Sequence, residues 1–195
     1  MRVCVYGAAS STIDKIYIEQ GVALGKLLAE KGHNLVYGAG SEGLMGAVAR
    51  GFKAGGGHIH GVIPKFFEEN GYENIFYECD KLTYTGTMAE RKYIMEQEAE
   101  AFIITPGGIG TYEEFFQALT LKQLGRHKKA IVLLNTNQYY NPFKDLLEQS
   151  IQKEFVNDEC AKLVAILDTP EQVVDYIENY STEDISWNRL KTNQD

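Results

Sequence analysis

Short apolar runs alternate along the chain with longer segments in which apolar residues recur every three or four positions. The short runs predict strands, and the periodic segments predict amphipathic helices. The predicted strands cover residues 2–6, 34–37, 58–63, 76–79, 101–104, 131–134 and 163–167; the predicted helices cover 13–31, 143–153 and 171–180, and three more begin near Gly43, Thr87 and Gly110. This alternation predicts an α/β fold with a mainly parallel, doubly wound sheet flanked by helices.

The runs at 101–104 and 131–134 are continuously apolar, which is typical of central strands that helices cover on both faces. A chain of 195 residues is close to the size of one domain. We therefore expect a single domain at residues 1–180, followed by a polar tail at 181–195. In an open sheet of this kind, ligands bind beyond the carboxyl ends of the strands, so the turns that follow strands are the candidate sites.

Composition narrows the class of partner. The chain has 19 basic and 27 acidic residues, a net charge of −8, which argues against binding to nucleic acid or to an anionic membrane surface. A small anion remains possible, because one arginine and a few backbone amides can hold a phosphate. The cysteines, Cys4, Cys79 and Cys160, are too far apart for a zinc knuckle and suggest no disulfide framework. With no long apolar run near the first strand, we expect a cytoplasmic protein.

Glycine-rich turns follow the first two predicted strands. The first contains Ser10, Ser11 and Thr12, whose hydroxyls could hold phosphate oxygens or simply cap the next helix. The second, at residues 38–46, has the spacing of a dinucleotide-binding turn, but the acidic residue expected about 20 positions later is missing. Its small and apolar residues include Gly40, Gly43, Met45 and Gly46. These glycines allow either close approach of a phosphate or tight packing of the helix on the sheet.

The third turn, at residues 106–114, is the most specific feature of the sequence. Three glycines, Gly107, Gly108 and Gly110, leave the backbone open to phosphate or ribose oxygens at the positive end of a helix. Glu114, one turn into that helix, could then face the sugar. Thr111 and Glu114 also have the spacing of a capping box, and the local pattern fits both interpretations.

Arg91 lies just after Thr87 and Glu90, whose spacing predicts a capping box at the start of a helix. The arginine could reach into the cleft and hold an anionic group, although an arginine on a polar helix is more often solvated. His58 and His60 are two positions apart and so point to the same face of a strand, which could suggest a metal site. No third ligand with suitable spacing is visible, and we expect no metal.

Together, residues 37–46, 88–92 and 106–114 resemble the LOG ("Lonely Guy") family of cytokinin riboside 5′-monophosphate phosphoribohydrolases. The resemblance covers roughly residues 1–180, and the Pro-Gly-Gly-x-Gly-Thr-x-x-Glu motif is highly specific. It implies a Rossmann-like fold, a homodimer, no cofactor, and hydrolysis of the N-glycosidic bond of a nucleotide such as AMP or N6-isopentenyladenosine monophosphate. The family has also carried a "lysine decarboxylase" label, which would need an electron sink that no residue pattern here requires.

The resemblance implies catalytic roles for Arg91 and Glu114. It implies that the substrate site is lined by Ser10, Gly40, Gly43, Met45, Gly46, Met88, Lys92, Gly107, Gly108, Ile109, Gly110, Thr111, Tyr112, Glu113 and Thr120. Relatives often have Gly or Ser where this chain has Ala8 and Ala9, and Gly where it has Ala39. Two alternatives stay open: a module that senses nucleotides without catalysis, and a transferase that passes the ribosyl group to an acceptor other than water.

Overall fold

The structure, a computed structural model, describes residues 1–71 and 73–191. The strands in these residues are β1 (Arg2–Tyr6), β2 (Asn34–Tyr37), β3 (Ile59–Pro64), β4 (Lys81–Thr85), β5 (Ala101–Ile104), β6 (Ala130–Leu134) and β7 (Ala165–Leu167). The α-helices are α1 (Lys15–Glu30), α2 (Gly43–Ala54), α3 (Lys65–Glu69), α4 (Met88–Glu98), α5 (Ile109–Gln123), α6 (Asn141–Gln152) and α7 (Pro170–Glu178). None of the helices in this part of the chain is long and apolar enough to cross a membrane.

The strands form one sheet in the order β4-β3-β2-β1-β5-β6-β7, and every neighbouring pair is parallel. The predicted doubly wound α/β fold is therefore confirmed. The order reverses direction between β1 and β5, and Tyr6 pairs in register with Ile104 at the carboxyl ends of these two strands. The turns that follow β1 and β5 consequently meet at the switch point, where sheets of this type bind ligands.

Two apolar clusters hold helices to the two faces of the sheet. Because side chains alternate along a strand, Val3 and Val5 of β1 pack with α1, α2 and α7, whereas Cys4 and Tyr6 pack with α4 and α5 on the opposite face. The Tyr6 ring stacks on that of Phe102, with 6.2 Å between centroids. Burial on both faces explains why the central strands are apolar without interruption, and it fixes the strand ends that carry the glycine-rich turns.

The fourth strand differs from its prediction. Residues 76–79 form a turn, and the strand is β4, five residues later. β4 is at the edge of the sheet and is only half-buried, so its polar sequence gives a weak apolar signal. An apolar residue is found at position 76 because the turn buries its side chain. The Phe76 amide also donates to the carbonyl of Ala39 at 2.8 Å. The last strand also begins later than predicted, because residues 158–163 form a 3-10 helix.

The polar segment after α7 packs on that 3-10 helix. Ile185 and Leu190 are buried in a small apolar cluster with Cys160 and Leu163. Glu159 anchors the segment, because its carboxylate accepts hydrogen bonds from the Ser186 amide, Lys162 and Arg189. Residues 192–195 of the predicted tail lie outside the described residues.

Candidate active site

The three glycine-rich turns are joined by backbone hydrogen bonds at the switch point. The Ala8 amide, after β1, donates to the carbonyl of Pro106, after β5, at 3.1 Å. The Ala8 carbonyl accepts from the Met45 amide at the start of α2 at 3.2 Å. Gly43 adopts a φ of 57°, and any side chain there would collide with the carbonyls of Ala8 and Ser10. The glycine therefore allows the first two turns to touch.

A cleft of about 380 Å³ opens where these turns meet α4, within the usual size of small-molecule sites. Nine of the predicted site residues line it: Ser10, Met45, Met88, Arg91, Gly108, Gly110, Thr111, Glu113 and Glu114. Its remaining walls are Gly7, Ala8, Ala9, Phe67 and Glu73. Residues from five separate segments of the chain thus converge on one cavity, which contains both Arg91 and Glu114.

Arg91 is buried, and its guanidinium is held from several sides. Its Nε donates to the Val62 carbonyl at 3.2 Å, and its Nη1 is 3.4 Å from Glu114 Oε1. The guanidinium carbon lies 5.9 Å from the Phe67 ring centre. A side chain at Gly38 would occupy the position of the Nη2 atom, so the glycine makes room for this group. The arginine is a fixed positive charge in the cleft rather than a solvated surface residue.

Glu114 is the buried carboxylate that faces Arg91. Burial raises the pKa of Glu114 to about 7, although the positive charge of Arg91 opposes this rise. For a buried ion pair, the free-energy cost of removing both charges from water can exceed the gain from their attraction. Such a pair is therefore weak evidence for a role in stability. A carboxylate poised to ionise near neutral pH in a cleft is instead typical of a functional site.

The structure separates the two interpretations of the third turn. The N-cap of α5 is Gly108, so Thr111 lies inside the first turn and the capping box of Thr111 with Glu114 is wrong. The Thr111 side chain packs against Gly107 instead. The cap predicted at Thr87 is confirmed, since its hydroxyl accepts from the Glu90 amide at 3.1 Å. Glu90 itself reaches the amide of Gly86 rather than that of Thr87.

The helix start that can receive an anion is that of α5. The α2 start is closed by the Ala8 carbonyl, whereas the first amides of α5 have no partner within the helix. Side chains added at Gly108 or Gly110 would meet open space, because both lie on the cleft wall. The helix cap predicted at Ser11 or Thr12 is wrong, since α1 begins after Asp14, and Ser10 faces the cleft with its hydroxyl 3.0 Å from that of Thr12.

The other predicted substrate residues do not line this cleft within one chain. Lys92 donates to Glu113 and Gln117 at 2.5 and 2.7 Å, so it can act on the cleft through Glu113. The remaining residues lie in two places: Gly40, Gly43 and Gly46 support the second turn, and Gly107, Ile109, Tyr112 and Thr120 lie around the start and outer face of α5. Their roles toward the substrate stay predictions.

Besides the apolar Phe67 of α3, Glu73 is the cleft residue that the sequence analysis missed. It lies between α3 and β4, in a segment with no motif, and no strand or helix pattern pointed to it. Burial raises the pKa of Glu73, an effect that the charge of Arg91 opposes. The predicted absence of a metal site rests on spacing alone; among residues 1–71 and 73–191 no group of three or more His, Cys, Asp or Glu side chains could hold a metal ion. His60 pairs with Glu98 at 2.7 Å and with Thr83 at 2.8 Å.

A parallel sheet with an arginine–carboxylate pair and an open helix start at its switch point defines an α/β protein of the nucleotide-binding type. Comparisons with known proteins make this more specific. The family described as "Possible lysine decarboxylase" matches residues 45–177. A cytokinin riboside 5′-monophosphate phosphoribohydrolase from Oryza sativa subsp. japonica is 37% identical over 182 residues, which are 93% of this chain and 74% of that protein. Its counterpart from Arabidopsis thaliana is 35% identical over 93% of this chain and 83% of that protein.

The chain therefore belongs to the LOG family of cytokinin riboside 5′-monophosphate phosphoribohydrolases, and the resemblance inferred from the three motifs is confirmed. Solved structures share the fold at lower identity. The molybdenum cofactor carrier protein of Chlamydomonas reinhardtii is 24% identical with a TM-score of 0.68, covering 91% of this chain and 96% of that one. The molybdenum cofactor binding protein of Rippkaea orientalis is 23% identical with a TM-score of 0.65, covering 91% and 93%.

Proposed function

We propose that this protein hydrolyses the N-glycosidic bond of a purine nucleoside 5′-monophosphate and releases the free base and ribose 5-phosphate. The observation that carries the proposal is the buried pair of Arg91 and Glu114, 3.4 Å apart, in a cleft that also exposes the start of α5. A nucleoside monophosphate needs one site for a phosphate and one for a developing positive charge. This cleft offers both.

The 5′-phosphate docks at the start of α5, where backbone amides and the helix dipole favour an anion. Gly108 and Gly110 lie on the cleft wall and carry no side chain that would keep a phosphate away. Ser10, from the turn after β1, lies on the same wall and can donate its hydroxyl. The phosphate then fixes the ribose over Glu114, which lies on the inner face of the same helix.

Bond cleavage follows glycosidase logic. As the bond from C1′ to the base nitrogen breaks, its electron pair leaves with the base and positive charge grows on C1′ and the ring oxygen. The ionised Glu114 carboxylate stabilises that charge. A water molecule adds its oxygen to C1′, and the proton that it loses balances the charge on the departing base. Arg91 holds Glu114 in place and orients the nucleotide.

The test is product analysis with purified protein and AMP, and in parallel with N6-isopentenyladenosine monophosphate. Wild type should release free base and ribose 5-phosphate in equal amounts. Glu114→Gln should lower kcat by roughly 10²- to 10³-fold or more, because a neutral amide cannot stabilise the cation. Glu171→Gln, an exposed change at the start of α7, is the control and should keep full activity. An unimpaired Glu114→Gln protein would remove this role from Glu114.

The same assay separates the rival functions. A nucleotide-sensing module would bind AMP and release no base, and a transferase would release base with the ribosyl group attached to an acceptor other than water. The predicted homodimer and cytoplasmic location are part of the proposal. Exposed apolar side chains on α5, namely Ile109, Tyr112 and Phe116, support a dimer surface beside the cleft. The free thiols of Cys4, Cys79 and Cys160 suit a reducing compartment.

A further inference from the structure

Two neighbouring tyrosines between β6 and α6 hold the third glycine-rich turn from outside the cleft. The Tyr139 hydroxyl donates to the Gly107 carbonyl at 2.6 Å. The Tyr140 hydroxyl donates to the Thr105 carbonyl at 2.8 Å. The carbonyl of Pro106, between them, accepts from an amide in the turn after β1 at 3.1 Å. Three consecutive carbonyls of the turn are therefore each held by a donor from another segment of the chain.

The hydroxyl and the ring of Tyr139 are both held in place. A tyrosine hydroxyl has one proton to donate, and that of Tyr139 goes to the Gly107 carbonyl. Its oxygen lies 2.6 Å from the hydroxyl oxygen of Tyr112, so Tyr112 is the donor of this second hydrogen bond. The Tyr139 ring meets the rings of Tyr17 and Tyr140 edge to face, with 6.1 and 5.1 Å between centroids. Burial raises the pKa of Tyr139 to about 12, so the hydroxyl keeps its proton near neutral pH.

The carbonyl that Tyr139 holds belongs to the peptide group between two glycines. Gly107 is buried, whereas Gly108 is exposed and lies on the cleft wall. In a trans peptide group the carbonyl and the N–H lie in one plane and point in opposite directions. Because Tyr139 holds the Gly107 carbonyl on the side away from the cleft, the Gly108 N–H points to the cleft side. This amide donates to no carbonyl in the described part of the chain, so it can serve a ligand.

Glycine on both sides makes this peptide group easy to reverse. Glycine populates both signs of φ at little cost, so the plane between Gly107 and Gly108 could rotate without steric conflict in either residue. Reversal would place the carbonyl oxygen, with its partial negative charge, where the phosphate docks. The phosphate would then meet repulsion instead of a donor. A hydroxyl that holds this carbonyl therefore decides which edge of the peptide group the substrate meets.

We propose that Tyr139 is a positioning residue for the substrate phosphate: it holds the Gly107 carbonyl so that the Gly108 amide donates to a phosphate oxygen. This inference rests on the proposed function, in which a nucleoside monophosphate docks at the start of α5. Tyr139 does not line the cleft and acts through the backbone. Loss of its hydroxyl should therefore weaken the binding of ligands that carry the phosphate and spare ligands that lack it.

The test is Tyr139→Phe, which keeps the ring and removes the hydroxyl. We expect KM for AMP to rise roughly three- to tenfold, the range for loss of one hydrogen bond. We expect kcat to change by less than about twofold, because the phosphate contact is the same in the substrate and the transition state. The Kd of ribose 5-phosphate, measured by calorimetry, should rise by a factor similar to that of KM. The Kd of adenosine, which has no phosphate, should keep its wild-type value.

Tyr140→Phe is the matched control. It removes a hydroxyl that is more deeply buried than that of Tyr139 and that holds a carbonyl of the same turn. The peptide group of the Thr105 carbonyl ends at Pro106, which has no N–H, so this bond directs no donor to a ligand. We expect Tyr140→Phe to lower Tm at least as much as Tyr139→Phe, because a buried carbonyl loses its donor. The Kd of ribose 5-phosphate should nevertheless stay at its wild-type value.

The outcomes separate this inference from hydrolysis itself. If wild type releases no base from AMP but binds ribose 5-phosphate in a way that only Tyr139→Phe weakens, hydrolysis is wrong and the role of Tyr139 stands. If wild type hydrolyses AMP with a KM that Tyr139→Phe leaves unchanged, hydrolysis stands and this inference is wrong. Equal losses for ribose 5-phosphate and adenosine, or an equal loss in Tyr140→Phe, would show a general loosening of the turn and overturn the inference. A wild type that binds no ribose 5-phosphate would overturn it as well.

Discussion

The positions of Arg91 and Glu114 in the fold could be predicted from the sequence, but their contact could not. The sequence placed each at the start of a helix after a strand, and the reversal of strand order brings them together. Motif spacing alone could not distinguish a capping box from a catalytic carboxylate at Glu114, because both need a carboxylate on the first turn of a helix. The structure removes the capping box, because Gly108 is the N-cap of α5, and it places Glu114 against Arg91. Glu73 was beyond prediction, since its neighbours in the cleft come from distant parts of the chain.

The ionisation of Glu114 predicts how activity depends on pH. Its pKa is raised to about 7 by burial, and only the ionised carboxylate can stabilise a positive charge at C1′. As pH rises through about 7, more of the enzyme carries the active form, so kcat should rise and then level off. The measurement is kcat with saturating AMP from about pH 5 to about pH 9. Ionisation of the free substrate phosphate, near 6, does not enter kcat. A flat profile would contradict the role of an ionised Glu114.

Among the secondary-structure elements, α5 must form a stable helix and also leave space for a ligand at its first turn. Gly108 is its N-cap, and Gly110 lies within its first turn, although glycine inside a helix is destabilising. Added side chains would meet no protein atom there, so packing does not require these glycines. Gly107 is different, because a side chain would overlap Thr111. The open space at both glycines fits the proposed close approach of a substrate phosphate.

Gly110→Ala should consequently raise stability and impair binding. Alanine in a helix is favoured over glycine by up to about 1 kcal/mol, which corresponds to a rise in Tm of roughly 2–4 °C for a chain of this size. The added methyl group enters the cleft where the phosphate docks, so KM for AMP should rise. Thermal unfolding and steady-state kinetics measure the two effects. A more stable variant with unchanged KM would show that the phosphate binds elsewhere.

The sequence predicted best the strands that are buried on both faces, because their residues are apolar without interruption. The central strands β1, β5 and β6 are covered on both faces and were found within one residue of their ends. The edge strand β4 was missed, because its register on β3 comes from backbone pairing from His60 to Pro64 and not from an apolar pattern. The wrong strand at 76–79 is a turn whose buried phenylalanine supports the second glycine-rich turn.

For the whole molecule, one chain brings Arg91 and Glu114 together but leaves an apolar surface beside them. Tyr112 and Phe116 of α5 are exposed by 39% and 45%, and the ring of Phe116 contacts that of Phe143. Leu146 of α6 continues the same surface. Neighbouring exposed apolar groups of this kind are typical of interaction surfaces. In the proposed homodimer, a second copy of the chain covers them.

Phe116→Glu tests the dimer. A charge on this surface would be buried without a partner in the dimer, so the variant should be a monomer while wild type has twice the mass of one chain. Light scattering coupled to size-exclusion chromatography measures both, and circular dichroism checks that the fold is kept. A monomeric wild type would contradict the dimer, and a dimeric variant would move the interface to another face.

Gly38 limits how this site can vary. The guanidinium of Arg91 occupies the space that any side chain at position 38 would need, and it is held there by the Val62 carbonyl and by Glu114. A substitution of Gly38 would thus displace the Arg91 guanidinium from the cleft, although residue 38 itself does not line the cleft. A larger residue at position 38 therefore requires a smaller residue at position 91, so the two positions can change only together.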